Sequence, residues 1–266
     1  MRLSEIWSYP IKSCAGVPMS RASVGRRGIE ADRHWMLVDG AGSFVTQRQL
    51  PRMALIRPDL RGDHLRVSAP GQSPLDVPRA QAVGRTLSVR VWRDNCTAAS
   101  VGEEADAWFS AFLGETVRLV FLPAGSRRPV DPAFARHEDE VGFADGFPFL
   151  LIGRSSLADL ASRMQADLSM QRFRPNLVVE GGAAYAEDGW RRIRIGDIEF
   201  RVAKPCSRCV VTTLNPQTAE RDLDTLGALA AFRKRNNRVF FGQNLIHDGP
   251  GELAVGDSLS ILEADG

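Results

Sequence analysis

The chain has 266 residues, 44% hydrophobic and 25% charged, with a net charge of +2 and four cysteines. This is the balance of a soluble globular protein with a substantial core, and it argues against a strongly basic nucleic-acid binder and against a disulfide scaffold. No apolar run approaches the roughly 18 residues of a membrane helix, and the opening MRLSEIWSYPIKSC lacks the apolar segment of a secretory signal; a bacterial cytoplasmic protein with no nucleic-acid and no membrane partner is expected.

Short β-branched or aromatic runs predict strands over residues 3–11, 33–39, 44–48, 53–60, 64–70, 86–92 and 117–123, each bounded by Gly, Pro, Asp or Asn. Strands this short and frequent suggest a β-barrel or curled sheet. One helix interrupts them over 103–114, where Ala105, Trp108, Phe109 and Phe112 fall at helical spacing and Gly114 closes the run. Composition then shifts to Pro, Gly and charge over 125–148, an irregular connection of a length that often lines a site. Beyond it, 149–153 reads as a strand and 155–165 as a helix with Ser155 or Ser156 as N-cap. Strands follow over 176–181, 191–204 and 209–214, a helix over 224–236, and closing strands over 239–248 and 257–264. The class is β-rich mixed α/β, with two barrel-like units side by side.

The chemistry concentrates in a few stretches. KPCSRCVVTT carries Cys206 and Cys209. Their spacing is open to a structural zinc pair, a redox dithiol, buried thiols packed as small apolar groups, or a thiolate on a soft metal brought by a cofactor. In YPIKSCAG, Lys12 and Ser13 offer a cation, a hydroxyl and free backbone N–H groups in a turn, a setting for an anion such as phosphate. Lys12 and Lys204 also stand out because only three lysines occur among thirty-four basic residues. Arg33 sits in DRHW at a strand entrance. Arg174 precedes Pro175 in FRPN and is expected to be extended. Each arginine alone reads as a solvated charge; together they gain meaning only if the fold gathers them beside Lys12.

YPIKSC, DRHW, FRPNLVVEG, PCSRCVVTTLNPQT and FGQNL, in this order, resemble the MOSC family, named for the C-terminal domain of molybdenum cofactor sulfurase. Within the family the chain is similar to the branch of the mitochondrial amidoxime reducing component. The resemblance spans essentially the whole chain and implies an N-terminal β-barrel module over 1–122 and a MOSC domain over 123–266, with molybdenum cofactor (Mo-molybdopterin) held in a cleft between them.

The resemblance also implies roles for residues. Cys209 matches the molybdenum ligand, and Cys206 a neighbouring cysteine that is not one. Lys12, Ser13, Arg33 and Arg174 match residues that hold the pterin and its phosphate. Asp145, Gly146 and Phe147 fall in a loop lining the cofactor, with Asp145 also a candidate catalytic acid. Ser207 and Arg208 flank the ligand, and Asn244 occupies a further contact position. A soft metal suits a thiolate and an anionic pterin suits the cations; Arg208 would place positive charge beside the sulfur. Asn215-Pro216-Gln217-Thr218-Ala219 departs from the family's Asp-Pro-x-Thr-Gly, and no cysteine spacing for an iron–sulfur cluster follows.

The implied activity is an oxidoreductase acting on small N-hydroxylated substrates: amidoximes, hydroxylamines or N-hydroxylated base analogues. Its electrons would come from a separate ferredoxin-, flavin- or cytochrome-type protein. The alternative is a non-catalytic carrier or sulfur-transfer module.

Overall fold

The computed structural model describes residues 1–79 and 85–265. Its first strands are β1 (Arg2–Ser8), β2 (Val17–Met19), β3 (Arg21–Gly25), β4 (Gly28–Ile29) and β5 (Trp35–Val38). Two groups follow: β6 (Arg57–Arg61), β7 (His64–Ser68) and β8 (Leu75–Pro78), then β9 (Thr86–Val91), β10 (Asp94–Ser100), helix α1 (Glu103–Leu113) and β11 (Arg118–Phe121). After the long connection come β12 (Phe149–Gly153), α2 (Arg154–Met164), β13 (Leu177–Glu180), β14 (Trp190–Ile195) and β15 (Ile198–Arg208). The chain closes with α3 (Thr225–Arg233), β16 (Lys234–Arg235), β17 (Arg238–His247), β18 (Gly251–Ala254) and β19 (Leu259–Ala264). The expected β-rich mixed class, with a barrel-like N-terminal domain, is what the chain forms.

β1 pairs on one side with β2, the strand that follows it, and on the other with a strand from far along the chain. It runs antiparallel to β13, with Ile6 opposite Leu177 and Arg2 opposite Glu180. A register shift between Leu3 and Glu5 brings Leu3 and Ile6, three residues apart, into one core. The resulting sheet runs β19-β14-β15-β17-β12-β13-β1-β2, with β16 on the outer side of β17. Only β12 and β13 lie parallel in it, and α2 provides the crossover that a parallel pair needs. β18 pairs with β3, so both ends of the chain close the same core of Leu3, Ile6, Val24, Phe149, Phe200 and Leu253.

The N-terminal half has its own core. Sheets β5-β11-β10-β9 and β6-β7-β8 enclose Trp35, Leu37, Leu65, Phe109, Phe112 and Leu119. α1 forms as read, buries Phe109 and Phe112 on one face, and ends at Gly114 with φ +73, a left-handed stop that favours glycine. Burying each aromatic ring contributes on the order of 2–3 kcal/mol.

Several local expectations are overturned. Residues 209–214 are not a strand: β15 stops at Arg208 and Val210–Thr213 forms a 3-10 turn. The Thr212 N–H and hydroxyl both donate to the Cys209 carbonyl, and the Thr213 hydroxyl donates to Val210, so local hydrogen bonds displace the ladder. Residues 44–48 are a loop held by Gln49 Oε1, which accepts from the Thr46 N–H and hydroxyl. In 53–60 the first part is a 3-10 turn, Pro51–Leu55, set by Pro51, and only Arg57–Arg61 is a strand. Neither Ser155 nor Ser156 caps α2; Gly153 takes that position, and Ser156 is buried against the Glu187 carboxylate at 2.7 Å. Arg174 is not extended but left-handed, with φ +55. The last helix stops at Arg233, and the Lys234–Arg238 segment turns back as a hairpin.

Candidate functional site

The turn after β1 is fastened to the start of β5. The Lys12 N–H donates to the Trp35 carbonyl, and the Arg33 N–H donates to Tyr9. Arg174-Pro175-Asn176 leads into β13, the neighbour of β1. On the far side, Asn244 of β17 pairs with Lys204 of β15 and with Leu150 of β12. These pairings create one cleft of about 160 Å³ between residues of both halves of the chain. Lys12, Ser13, Arg33, Asp145, Gly146, Phe147, Arg174, Ser207, Arg208, Cys209 and Asn244 line it, with Cys206 beside them, whereas Lys204 lies outside it, over the Phe134 and Phe147 rings.

Tyr9 is the centre of the cationic wall. The guanidinium carbons of Arg33 and Arg174 stand 4.2 and 4.3 Å from its ring centroid, a cation–π arrangement that holds two like charges close together. The Tyr9 hydroxyl donates to the Pro175 carbonyl at 3.1 Å, and burial pushes its pKa up to about 12. Arg33 Nη1 donates to Asp32 Oδ2 at 2.6 Å and to Asn176 Oδ1 at 3.0 Å; Arg174 Nη1 donates to the Cys14 carbonyl at 2.6 Å. The Ser13 carbonyl accepts from Gln47 Nε2 at 2.7 Å.

Lys12 is the buried cation of the site, its side chain 5% exposed, and its ammonium donates to Asp145, whose side chain is 75% exposed to the cleft mouth. Burial lowers the Lys12 pKa to about 8, against the opposing effect of Asp145. For Asp145, crowding by surrounding protein raises the pKa, but the Lys12 charge and hydrogen bond outweigh it, helped by the Trp92 N–H at 3.1 Å, and the carboxyl stays well below its usual range. Asp145 is therefore ionised at neutral pH. That charge suits it to orienting Lys12.

The cysteines differ in setting. Cys14 and Cys96 are buried in the core, and burial pushes the Cys14 thiol up to about 12. Cys206 is half-buried and Cys209 is exposed. Arg208 does not turn to Cys209: its Nη1 lies 3.1 Å from the Cys206 sulfur and its Nη2 donates to the Phe173 carbonyl at 2.6 Å. Among the described residues no cluster of three His, Cys, Asp or Glu side chains could hold a metal by itself, so the zinc reading has no ligand set. A metal at Cys209 would need its other ligands from a cofactor.

The residues fit an anionic cofactor carrying a soft metal. Lys12, Arg33, Arg48, Arg174 and Arg208 face the cleft against the single carboxylate of Asp145. The Arg208 Nε–H is buried without a partner. Among the described residues, four of the ten non-glycine residues with positive φ lie here, namely Ser13, Arg33, Trp92 and Arg174, and such strained backbone concentrates at functional sites.

Sequence reasoning missed several contributors, Tyr9 and Arg48 among them. Asn176 is buried and ties Arg33 to β1 through the Trp7 carbonyl at 3.1 Å; it stood in FRPN, overshadowed by the charge beside it. Asp32 accepts from the Tyr9 N–H at 2.7 Å as well as from Arg33. Arg128, in the long connection, donates to the carbonyls of Gly142 and Ala144 and so fixes the backbone just before Asp145. Gln47 and Trp92 come from loops with no sequence signal. Gly142 is needed for close approach, since a Cβ there would lie 2.9 Å from the Arg33 carbonyl.

Comparison with known proteins gives two family matches: a MOSC N-terminal beta barrel domain over residues 1–116 and a MOSC domain over residues 138–260. The human protein named mitochondrial amidoxime-reducing component 1 is 34% identical, over 98% of this chain and 82% of its own length. Human mitochondrial amidoxime reducing component 2 is 32% identical, over 96% and 82%. Human molybdenum cofactor sulfurase is 30% identical, over 97% of this chain but 32% of its own length.

Proposed function

The chain belongs to the MOSC family, and from that membership we propose that it is a molybdenum-cofactor oxidoreductase that reduces N-hydroxylated compounds. The balance is R–NHOH plus two electrons and two protons giving R–NH₂ and water, with the electrons supplied by a separate protein. The observation that carries the reading is the gathering of five cations and an exposed, unpaired thiol around one carboxylate in a single cleft. The names of the similar human proteins, two amidoxime-reducing components and a molybdenum cofactor sulfurase, point the same way.

In this reading Cys209 binds the metal, a soft ligand for a soft centre. Lys12, Arg33 and Arg174 hold the pterin and its phosphate, with Ser13 donating to it, and the Tyr9 ring and Asn176 fix the two arginines. Gly146, Phe147 and Asn244 line the cofactor, and Ser207 and Arg208 position the Cys209 backbone. Asp145 orients Lys12 at the mouth where substrate enters. The cofactor, when bound, supplies the two-electron exchange.

A second reading rests on the likeness to the sulfurase over nearly the whole chain: a carrier that binds the cofactor or persulfide sulfur and passes it on. Turnover separates the two. Protein made in a host competent for the cofactor is assayed for molybdenum, pterin and repeated reduction of an aromatic amidoxime with a chemical reductant. Many turnovers per molybdenum support the reductase. A single stoichiometric transfer supports the carrier, and absence of both metal and pterin overturns the reductase and the cofactor carrier, leaving persulfide carriage alone.

A further inference from the structure

We propose that the Lys234–Arg238 hairpin is the docking site of an acidic electron-carrier protein; this rests on the reductase reading above. The hairpin is short and firmly shaped. Asn236 and Asn237 form its two-residue turn with φ of +47 and +60, the geometry of a tight β-hairpin turn. Lys234, Arg235 and Arg238 are all exposed and, among the described residues, none has a carboxylate within ion-pair distance, whereas Arg233 just before them is paired with Asp188 at 2.6 Å.

The arrangement is costly to the fold. Arg235 and Arg238 are direct cross-strand partners, and like charges in that relation destabilise a sheet. Positive residues often guard an exposed strand edge, and Lys234 and Arg235 could do so on β16. Arg238 lies on β17 one residue beyond Val239, where the pairing with β15 ends, so it stands between the hairpin and the segment carrying Cys209. An acidic partner accounts for all three cations.

The hairpin also stands where electrons would be needed. Arg208 pairs with Val239, and Val239 pairs with Lys234. Lys234 therefore lies two strand spacings, about 10 Å, from the residue that precedes Cys209. The turn that follows Cys209 packs against α3, the helix that feeds the hairpin, and it exposes Val210. An apolar residue beside the exposed thiol, with three unpaired cations nearby, suits a carrier whose acidic rim surrounds an exposed redox group.

The test uses three small acidic carriers: a plant-type ferredoxin, a flavodoxin and a haem cytochrome. Binding to the wild type and to the triple variant Lys234→Glu/Arg235→Glu/Arg238→Glu is measured by calorimetry at low and high salt, with Arg61→Glu as a distant control. Reduction of an aromatic amidoxime by reduced methyl viologen is measured alongside. The proposal expects at least one carrier to bind the wild type in a salt-dependent way and the triple variant about tenfold or more weakly, with Arg61→Glu and viologen-driven turnover unchanged. Equal affinity of wild type and variant for every carrier, or no carrier binding, overturns it. So does hairpin-dependent binding only to RNA or to anionic vesicles. Loss of viologen-driven turnover in the wild type would instead overturn the reductase reading, which the binding data do not depend on.

Discussion

Lys12 and Asp145 meet across the cleft although 133 residues separate them in the chain. One comes from the turn after the first strand, the other from the long connection before β12. Their contact joins the buried cation of the site to its single carboxylate, so it couples the charge of the cleft to the packing of the two halves.

Replacing Asp145 with Asn leaves the Lys12 ammonium buried without an anion. Stability at pH 7 is expected to fall by about 1–3 kcal/mol, the cost of an unmatched buried polar group, and the Lys12 pKa to drop further. Urea denaturation measures the first; an unchanged midpoint would refute the pairing.

Lys12 also sets a pH dependence. Its native pKa is about 8, against an ordinary 10.5. Between those values the unfolded chain keeps a proton that the native chain has lost, so native stability rises with pH in that window. Anion retention moves the other way, because the facing cation disappears. Release of bound pterin, followed by fluorescence, is expected to quicken above about pH 8, and Lys12→Arg to abolish this alkaline limb.

Cys209→Ala is expected to abolish molybdenum content with little change in melting temperature, since the side chain is exposed. Cys206→Ala is expected to retain the metal. Mass spectrometry of the two variants decides; the opposite assignment would move the ligand to Cys206.

Tyr9 variants separate its ring from its hydroxyl. Tyr9→Phe keeps the surface under Arg33 and Arg174 and loses one hydrogen bond, a cost of about 1 kcal/mol. Tyr9→Leu removes the ring and should lower both stability and pterin retention. If Tyr9→Leu retained pterin as the wild type does, the two arginines would not need that platform.

Much of this site was legible in the sequence because its functional groups announce themselves by type. Lys12 stands out among arginines, Cys206 and Cys209 bring two of the four cysteines into one short stretch, and the motifs resemble one family in order. What stayed hidden depends on tertiary contact. Nothing local marks Trp92 as a partner of Asp145, or Arg128 as the clamp on the Asp145 loop. The strand expected over 209–214 failed for a related reason: Val and Thr favour sheets, but here the threonine side chains fold back onto the Cys209 and Val210 carbonyls. Arg174 escaped the usual constraint before proline because the preceding 3-10 turn and the Cys14 carbonyl hold it.

The pairing of β1 with β13 has a consequence for how the molecule is made. β1 has β2 on one side, but its other neighbours, Leu177–Glu180, are synthesised much later. At about 5–20 residues per second the opening strand waits roughly 10–35 s for them. Throughout that interval the Arg174 and Cys209 walls of the cleft are missing, although Lys12 can meet Asp145 before it ends. A fragment ending before residue 177 would lack β13, β15 and Cys209, and with them the cleft.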